Sequence, residues 1–333
     1  MKAVLVTGGA GYIGSHACKA LAQSGFRPVV LDNLSTGHQC AVKWGPLVKG
    51  DIADRDLVRR TLEQYHVEAV MHFAANASVA ESMKYPFRYL HDNMVGSLRL
   101  LEAMNDVRVR RIVVSSTCAT YGIPSKVPIS ESTPQLPVNP YGESKLAVER
   151  ALGWYQSAHG LRWTALRYFN AAGADHEKEI GEVHDPETHL IPLVIGAALG
   201  FEPPVRVMGT DYPTHDGTAI RDYIHVEDLA KAHIVALDYL ASGGESTAIN
   251  LGTACGHSVL EVIKAVERVS GQQVPREFAA RREGDPPKLV ADNHLAQKLL
   301  QWTPRYTSLE EIVGTAWAWH TSQVRAAAAV AAN

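Results

Sequence analysis

The stretch SSTCATYG, residues 115–122, carries a hydroxyl cluster, and NPYGESKLAVER, residues 139–150, follows with Tyr141 and Lys145 four positions apart. On a helix that spacing puts both side chains on one face, about a turn apart. A phenol and an ammonium so placed are candidates for proton chemistry, although a solvated tyrosine near a solvated lysine would show the same spacing. Position favours chemistry. The predicted strand RIVVSST runs into the hydroxyls and ends at the same sheet edge as a glycine turn near the N-terminus, so both groups can converge on one bound nicotinamide.

That turn lies in VLVTGGAGYIGSHACKAL, where Gly8, Gly11 and Gly14 stand in a GxxGxxG spacing, with Tyr12 and Ile13 between the last two. Glycine suits a backbone that turns tightly and approaches a pyrophosphate, whose charge then rests on the helix N-terminus. An ordinary strand-to-helix turn would also use glycines, so the next strand matters. VVLDN ends in Asp32, eighteen positions after Gly14, where a carboxylate can hold both ribose hydroxyls of an adenosine. NAD is expected over NADP, because Asp32 repels a 2′-phosphate and Asn33, Leu34 and Ser35 follow it with no arginine. GDI at 50–52, with Asp51 and Ile52, and FAA at 73–75, with Phe73, Ala74 and Ala75, end further strands along the same cofactor edge.

These turns require a scaffold of strands and helices in alternation. AVLVTG, RPVVLDN, PLVKGDI, EAVMHFAA, RRIVVSST and WTALRYFN read as strands, and SHACKALAQSG and DRDLVRRTLEQY between them have helical length and period. The fold class is therefore α/β: a doubly wound parallel sheet of Rossmann type with a smaller mixed C-terminal substrate domain. Residues 1–172 are expected to form the NAD-binding domain, with segments near 222–252 as candidates to return to it. From about Gly173 prolines and glycines loosen the pattern, so 173–325 is the expected substrate domain and 326–333 a low-complexity tail.

Composition narrows the class of partner. Among 333 residues, 32 basic against 35 acidic groups give a net charge of −3, which provides no general attraction to nucleic acid or an anionic membrane. No apolar run approaches the roughly 20 residues of a membrane span, and AVLVTGGAG is too short for a secretory core. Cys18, Cys40, Cys118 and Cys255 are scattered without CxxC spacing, so neither a disulfide framework nor a metal site is expected, and the reducing cytoplasm is the expected compartment.

With the glycine turn, the Tyr141–Lys145 pair, YFNAAGA (168–174), DGTAIRDYIHVEDLA (216–230), NLG (250–252) and RREGD (281–285) in order, the chain resembles the extended short-chain dehydrogenase/reductase family, and within it the nucleotide-sugar epimerases. The resemblance covers nearly the whole chain. It implies an enzyme that inverts C4 of a UDP-hexose, interconverting UDP-galactose and UDP-glucose through a 4-keto sugar with NAD as cofactor. Tyr141 is then the base, Lys145 binds the nicotinamide ribose and holds the tyrosine ionised, and Thr117 bonds the sugar's 4-oxygen. Asn93, Ser115 and Tyr168 would seat the nicotinamide end. Arg221 and Arg282 would grip the diphosphate, with Asn170, His189 and Leu190 beside it. Asp285 would bond the uridine ribose, and Val207 and Met208 would line the uracil pocket. A homodimer formed through helices of the nucleotide-binding lobe is also implied.

The base faces an energetic demand. A phenol titrates ordinarily near pKa ~10, and acting near neutrality requires about 4 kcal/mol of added preference for the phenolate. One cation ~5 Å away at an effective dielectric of ~20 supplies about 3 kcal/mol, and burial opposes it. Lys145 should therefore lower Tyr141 but fall short alone, with the oxidised nicotinamide as the second cation.

Three positions depart from the family pattern: Ala77 stands where some relatives carry a lysine, His189 where an asparagine is common, and Leu289 where a tyrosine can restrict the sugar pocket. The last leaves UDP-GlcNAc/UDP-GalNAc or a UDP-pentose as alternative substrates. A nucleotide-sugar dehydratase would share the fold but usually places an acid after the Ser or Thr, where this chain has Cys118-Ala119. A noncatalytic NAD-sensing regulator would often lack the tyrosine or lysine.

Overall fold

The computed structural model describes residues 1–282 and 284–331, with the backbone alone for 326–331. The last two residues of the expected 326–333 tail lie outside the described residues. The first half of the chain contains β1 (Ala3–Thr7), α1 (Tyr12–Gln23), β2 (Arg27–Asp32), β3 (Leu47–Lys49), α2 (Arg55–Gln64), β4 (Val67–His72), α3 (Val79–Lys84), α4 (Pro86–Leu90), α5 (Gly96–Asp106), β5 (Arg111–Thr117) and α6 (Pro140–His159). There follow β6 (Arg162–Tyr168), β7 (Asn170–Ala172), α7 (Leu190–Leu199), β8 (Val205–Met208), β9 (Ile220–His225) and α8 (Val226–Ala241). The chain closes with β10 (Thr247–Leu251), β11 (Gly256–Ser258), α9 (Val259–Ser270), β12 (Arg276–Ala279), β13 (Lys288–Leu289), α10 (His294–Leu300) and α11 (Leu309–Ala331).

The six strands read from the sequence are β1 to β6. They form, with β10, a seven-stranded sheet in the order β10-β6-β5-β4-β1-β2-β3, paired in parallel throughout. Every residue of β1 is buried, as expected of a central parallel strand covered on both faces. One face packs Ala17 and Leu21 of α1 with Leu229 and Leu237 of α8 and Leu300 of α10. The other packs Leu62 of α2, Leu100 and Met104 of α5 and Leu152 of α6. The segment 222–252 is divided: α8 and β10 join this layer, whereas β9 lies in a second sheet with β11, β13 and β7. Helices α7, α9 and α11 and the β8–β12 pair build the rest of the second lobe around Ile195, Val207, Ile263 and Val313.

Strand polarity brings the C-terminal ends of β1, β2, β4, β5 and β6 to one edge. The helix following β5 is started there by Asn139, whose side chain accepts from the Gly142 amide at 2.8 Å, with Pro140 in the first turn. It ends at Gly160 in the left-handed conformation. The stretch LHDNMVGSLRLLEAM has a wide π turn at His91–Val95 between α4 and α5. The extra residue in that turn reorients the chain and leaves Asn93 1% exposed.

A buried ion pair fixes α6 to the sheet. Arg167 of β6 donates to Glu149 through Nε at 3.0 and 3.2 Å and through Nη2 at 2.6 Å. Its Nη1 donates to the Tyr121 hydroxyl at 2.8 Å, which in turn donates to Asn250 Oδ1 of β10 at 2.7 Å. Ser116 of β5 also donates to Glu149. Removing one partner leaves the other charge buried alone. Arg167→Leu should lower unfolding free energy by about 3–5 kcal/mol in urea titrations, and adding Glu149→Leu should restore much of it. A double variant no more stable than the single one would show that the lost charge compensation is not the cause.

Candidate active site

At the first turn Gly8 has φ +72° and its amide donates to Leu31 O at 3.0 Å. Helix α1 starts so close to this turn that a Cβ on Gly14 would stand 2.1 Å from Gly8 O. No side chain caps the helix and no acidic residue occupies its first turn, so its N–H groups and positive end suit an anion. Asp32, 8% exposed, accepts from Ala10 N at 3.0 Å and from Leu34 N at 2.8 Å, one bond per oxygen. Each oxygen keeps acceptor capacity for a ribose hydroxyl. Asn33 donates to Asp51 at 2.9 Å, Ile52 is buried beneath them, and the amides of Phe73 and Ala74 both donate to Thr7 O, at 2.9 and 3.1 Å. These groups form one continuous edge, with Ala75 following. Tyr12 points away along it, donating to Gly173 O at 2.6 Å and so joining the two lobes.

Further along the edge, Lys145 is buried and donates through Nζ to Ser115 O at 3.0 Å. Burial pulls its ammonium down to about 8, against the opposing attraction of Glu149. His72 lies near it, hydrogen-bonded to Thr7 and Ser97. Burial first and the Lys145 charge second lower that imidazole to about 3, so no second cation competes there. Ser115 is hydrogen-bonded to Tyr168, whose phenol burial drives well above its usual range. Thr117 accepts from Ala119 N at 3.1 Å, and Tyr89 meets the Tyr141 ring edge-on at 6.4 Å between centroids.

The Tyr141 phenol lies above its ordinary range, the direction in which burial was expected to push it. Burial raises it to about 12, the Thr117 hydroxyl opposes, and Cys118 adds to the rise. With its ammonium directed at Ser115 O, Lys145 does not overcome desolvation of the phenolate. Asn93 is held by partners within the chain. Its amide donates to Asn76 O at 3.1 Å and Ser144 Oγ at 2.9 Å, while its carbonyl accepts from Asn76 N at 2.8 Å. Both N–H groups are spent on holding the loop after β4 to helix α6.

In the second lobe Asn170 opens β7, paired opposite Tyr223 of β9, and Leu190 opens α7. Val207 is buried on β8 and Met208 partly exposed at its end. Arg221 of β9 directs Nη2 to Asp285 at 2.5 Å, so the carboxylate expected to bond a ribose carries a guanidinium partner, while Arg282 is exposed. His189 lies beside two carboxylates, its Nδ1 2.7 Å from Glu182 and 3.5 Å from Glu187. Ala77 is exposed, and Leu289 packs with Cys118, Tyr121 and Phe169 next to Thr117.

Two lobes thus meet over a nucleotide-binding edge that ends in a tyrosine, a lysine and a threonine. The model of the NAD dependent epimerase/dehydratase family matches residues 4–252. The chain belongs to that family. It is 52% identical over 317 residues to a UDP-glucose 4-epimerase of Rhizobium leguminosarum bv. trifolii, covering 95% of this chain and 97% of the relative. Its fold is similar to the crystal structure of UDP-glucose 4-epimerase from Brucella ovis in complex with NAD, with TM-score 0.94, 51% identity and coverage of 96% and 98%. A UDP-Glc/GlcNAc 4-epimerase of Campylobacter jejuni is similar at TM-score 0.84 and 39% identity, covering 97% of this chain and all of that one.

Within the family frame, the structure adds residues that motif reading passed over. Glu149 lies four positions beyond Lys145 and eight beyond Tyr141, so one helix face carries base, cation and anchor. That periodicity was available in the sequence. Asn76 and Ser144 offered no comparable signal, because their meeting at Asn93 depends on the π turn.

The cost of burying Lys145 has a measurable sign. Its folded-state pKa lies below the ordinary lysine value, so the protonated form costs stability below about 8. The cost fades as pH rises through about 8 towards the ordinary value near ~10.4. In cofactor-free protein, Lys145→Met should raise unfolding free energy by up to about 3 kcal/mol at pH 7, and this gain should shrink by pH 10. Equal destabilisation at both pH values would contradict it.

Proposed function

We propose that this chain inverts C4 of UDP-hexoses, interconverting UDP-galactose and UDP-glucose with NAD as cofactor. The reading is carried by one juxtaposition: the uncapped glycine turn with Asp32 shares a sheet edge with Tyr141, Lys145 and Thr117. The glycine cradle and the free acceptor capacity of Asp32 fit a dinucleotide with an unmodified adenosine ribose. NAD held there would supply a reversible hydride acceptor for the C4 hydrogen, so that no net redox change results.

The chain's own residues supply the remainder. Thr117 donates to the sugar's 4-oxygen and Tyr141 removes its proton, leaving a 4-keto sugar, then returns the proton after the opposite face is presented. Since burial holds the Tyr141 phenol near 12, a positive charge beyond Lys145 is needed to favour the phenolate; the oxidised nicotinamide is that charge. Arg221 and Arg282, with Asn170, hold the diphosphate so that the sugar can turn while the nucleotide stays anchored. Val207 and Met208 border the base, and Asp285 shares its carboxylate between Arg221 and the uridine ribose. Leu289, aliphatic and beside Cys118, supports room for an N-acetylated sugar as a second substrate class.

We further read the chain as a homodimer. Val95 and Leu98 at the start of α5 are 36% and 38% exposed, and Trp154 of α6 is 75% exposed, an apolar surface suited to a second copy. Trp154→Glu should shift the protein to monomer in light-scattering measurements; an unchanged mass would exclude this face. The four cysteines are unpaired, which supports a reducing compartment, and among the described residues no helix is long and apolar enough to cross a membrane.

Tyr141→Phe tests the chemistry. It should keep UDP binding, measured by calorimetry, while reducing kcat by about 10²–10⁴. NMR of the product should show the original C4 hydrogen retained in D₂O. Full turnover by this variant, or solvent deuterium at C4, would overturn the mechanism.

A further inference from the structure

The segment between β7 and α7 carries four side chains spaced E-x-H-x-x-E-x-H: Glu182, His184, Glu187 and His189. One donor atom from each lies within 4.8 Å of the others. Glu182 Oε1 is 2.7 Å from His189 Nδ1 and 3.3 Å from His184 Nδ1, and Glu187 is 3.5 and 3.6 Å from the same two nitrogens.

These are close His–carboxylate contacts, but two of the buried atoms in them lack an aligned partner. Glu182 is 3% exposed, yet its Oε1 has no aligned hydrogen bond, and neither has the buried Nδ1 of His184. Neighbouring acidic groups on the same segment behave differently. Asp175, Glu177 and Glu179 surround the Lys19 ammonium, and His176 makes an aligned 2.8 Å hydrogen bond to Glu227.

Four donors held about 2.0–2.2 Å from a tetrahedral centre lie roughly 3.3–3.6 Å apart; three of the contacts, at 3.3, 3.5 and 3.6 Å, fall in that range, and the Glu182–His189 contact, at 2.7 Å, would have to open to admit an ion. Two imidazoles with two carboxylates suit zinc and neighbouring first-row ions over magnesium or calcium. The set is held from behind. Thr188 and His189 amides donate to Glu187 Oε1 at 2.6 and 2.8 Å, leaving Oε2 free, and Trp319 Nε1 donates to the Glu182 carbonyl at 3.2 Å.

We propose that Glu182, His184, Glu187 and His189 bind one divalent first-row transition-metal ion of the zinc class. The site lies where the connection from the nucleotide-binding lobe enters α7, so the ion clamps that connection. The scattered cysteines gave no sign of it, because its donors are histidines and glutamates.

The test requires no catalytic readout, so it stands apart from the epimerase reading. Full-length protein, chelator-treated and then dialysed against Zn²⁺ or Co²⁺, should retain one equivalent of metal by mass spectrometry. The Co²⁺ form should show ligand-field bands in the visible, and Zn²⁺ but not Mg²⁺ should raise the thermal midpoint. His184→Ala, and independently Glu187→Gln should the first variant fail to fold, should weaken Zn²⁺ binding at least about tenfold. Wild-type protein that stays metal-free under these conditions, or folded variants that bind as wild type does, would overturn the proposal and leave the four residues as an ion-paired cluster.

Discussion

A lysine ammonium kept out of water is the constraint around which this nucleotide-binding lobe is arranged. Lys145 is 5% exposed, and desolvation alone would strip its proton. Three features oppose that outcome. The Ser115 carbonyl accepts from it at the end of β5, Glu149 attracts it from one turn along α6, and His72 stays neutral beside it. Glu149 can serve only because Arg167 pins it to the sheet, so the cation's chemistry reaches back into the core through a single ion pair.

The same economy governs the loop after β4. The π turn between α4 and α5 turns Asn93 inward, and Asn93 spends its amide on Asn76 and Ser144. Ser144 adjoins Lys145 on α6. A local irregularity in one helix therefore sets the distance between the cofactor edge and the helix bearing the base. π turns recur at functional sites for this reason: one inserted residue redirects a side chain without ending the helix.

The second lobe is attached to this frame by polar contacts and by apolar ones, Ile224 of β9 packing with α1 and α8 and Leu289 with Cys118 and Tyr121. Tyr12 reaches Gly173 O, Lys19 meets Asp175, and the two large apolar clusters of the sheet remain separate from the cluster around α7, α9 and α11. Arg221 and Asp285 meet across β9 and the segment before β13, placing opposite charges where the nucleotide end of a UDP-sugar would lie.

By itself the sequence determined what depends on local pattern. Alternating apolar runs specified β1 to β6, glycine spacing and Asp32 marked the dinucleotide turn, and i,i+4 spacing put Tyr141 and Lys145 on one face, since strand and helix periodicities act over a few residues. Tertiary structure decided what depends on contacts distant in the chain. It brought β10 back to β6, tied Asn93 to Ser144, set Asp285 against Arg221 and drew four Glu and His donors together. It also set how strongly burial raises the Tyr141 phenol. The sequence names the charges near a phenol, but desolvation depends on everything packed around it, and here that outweighs Lys145.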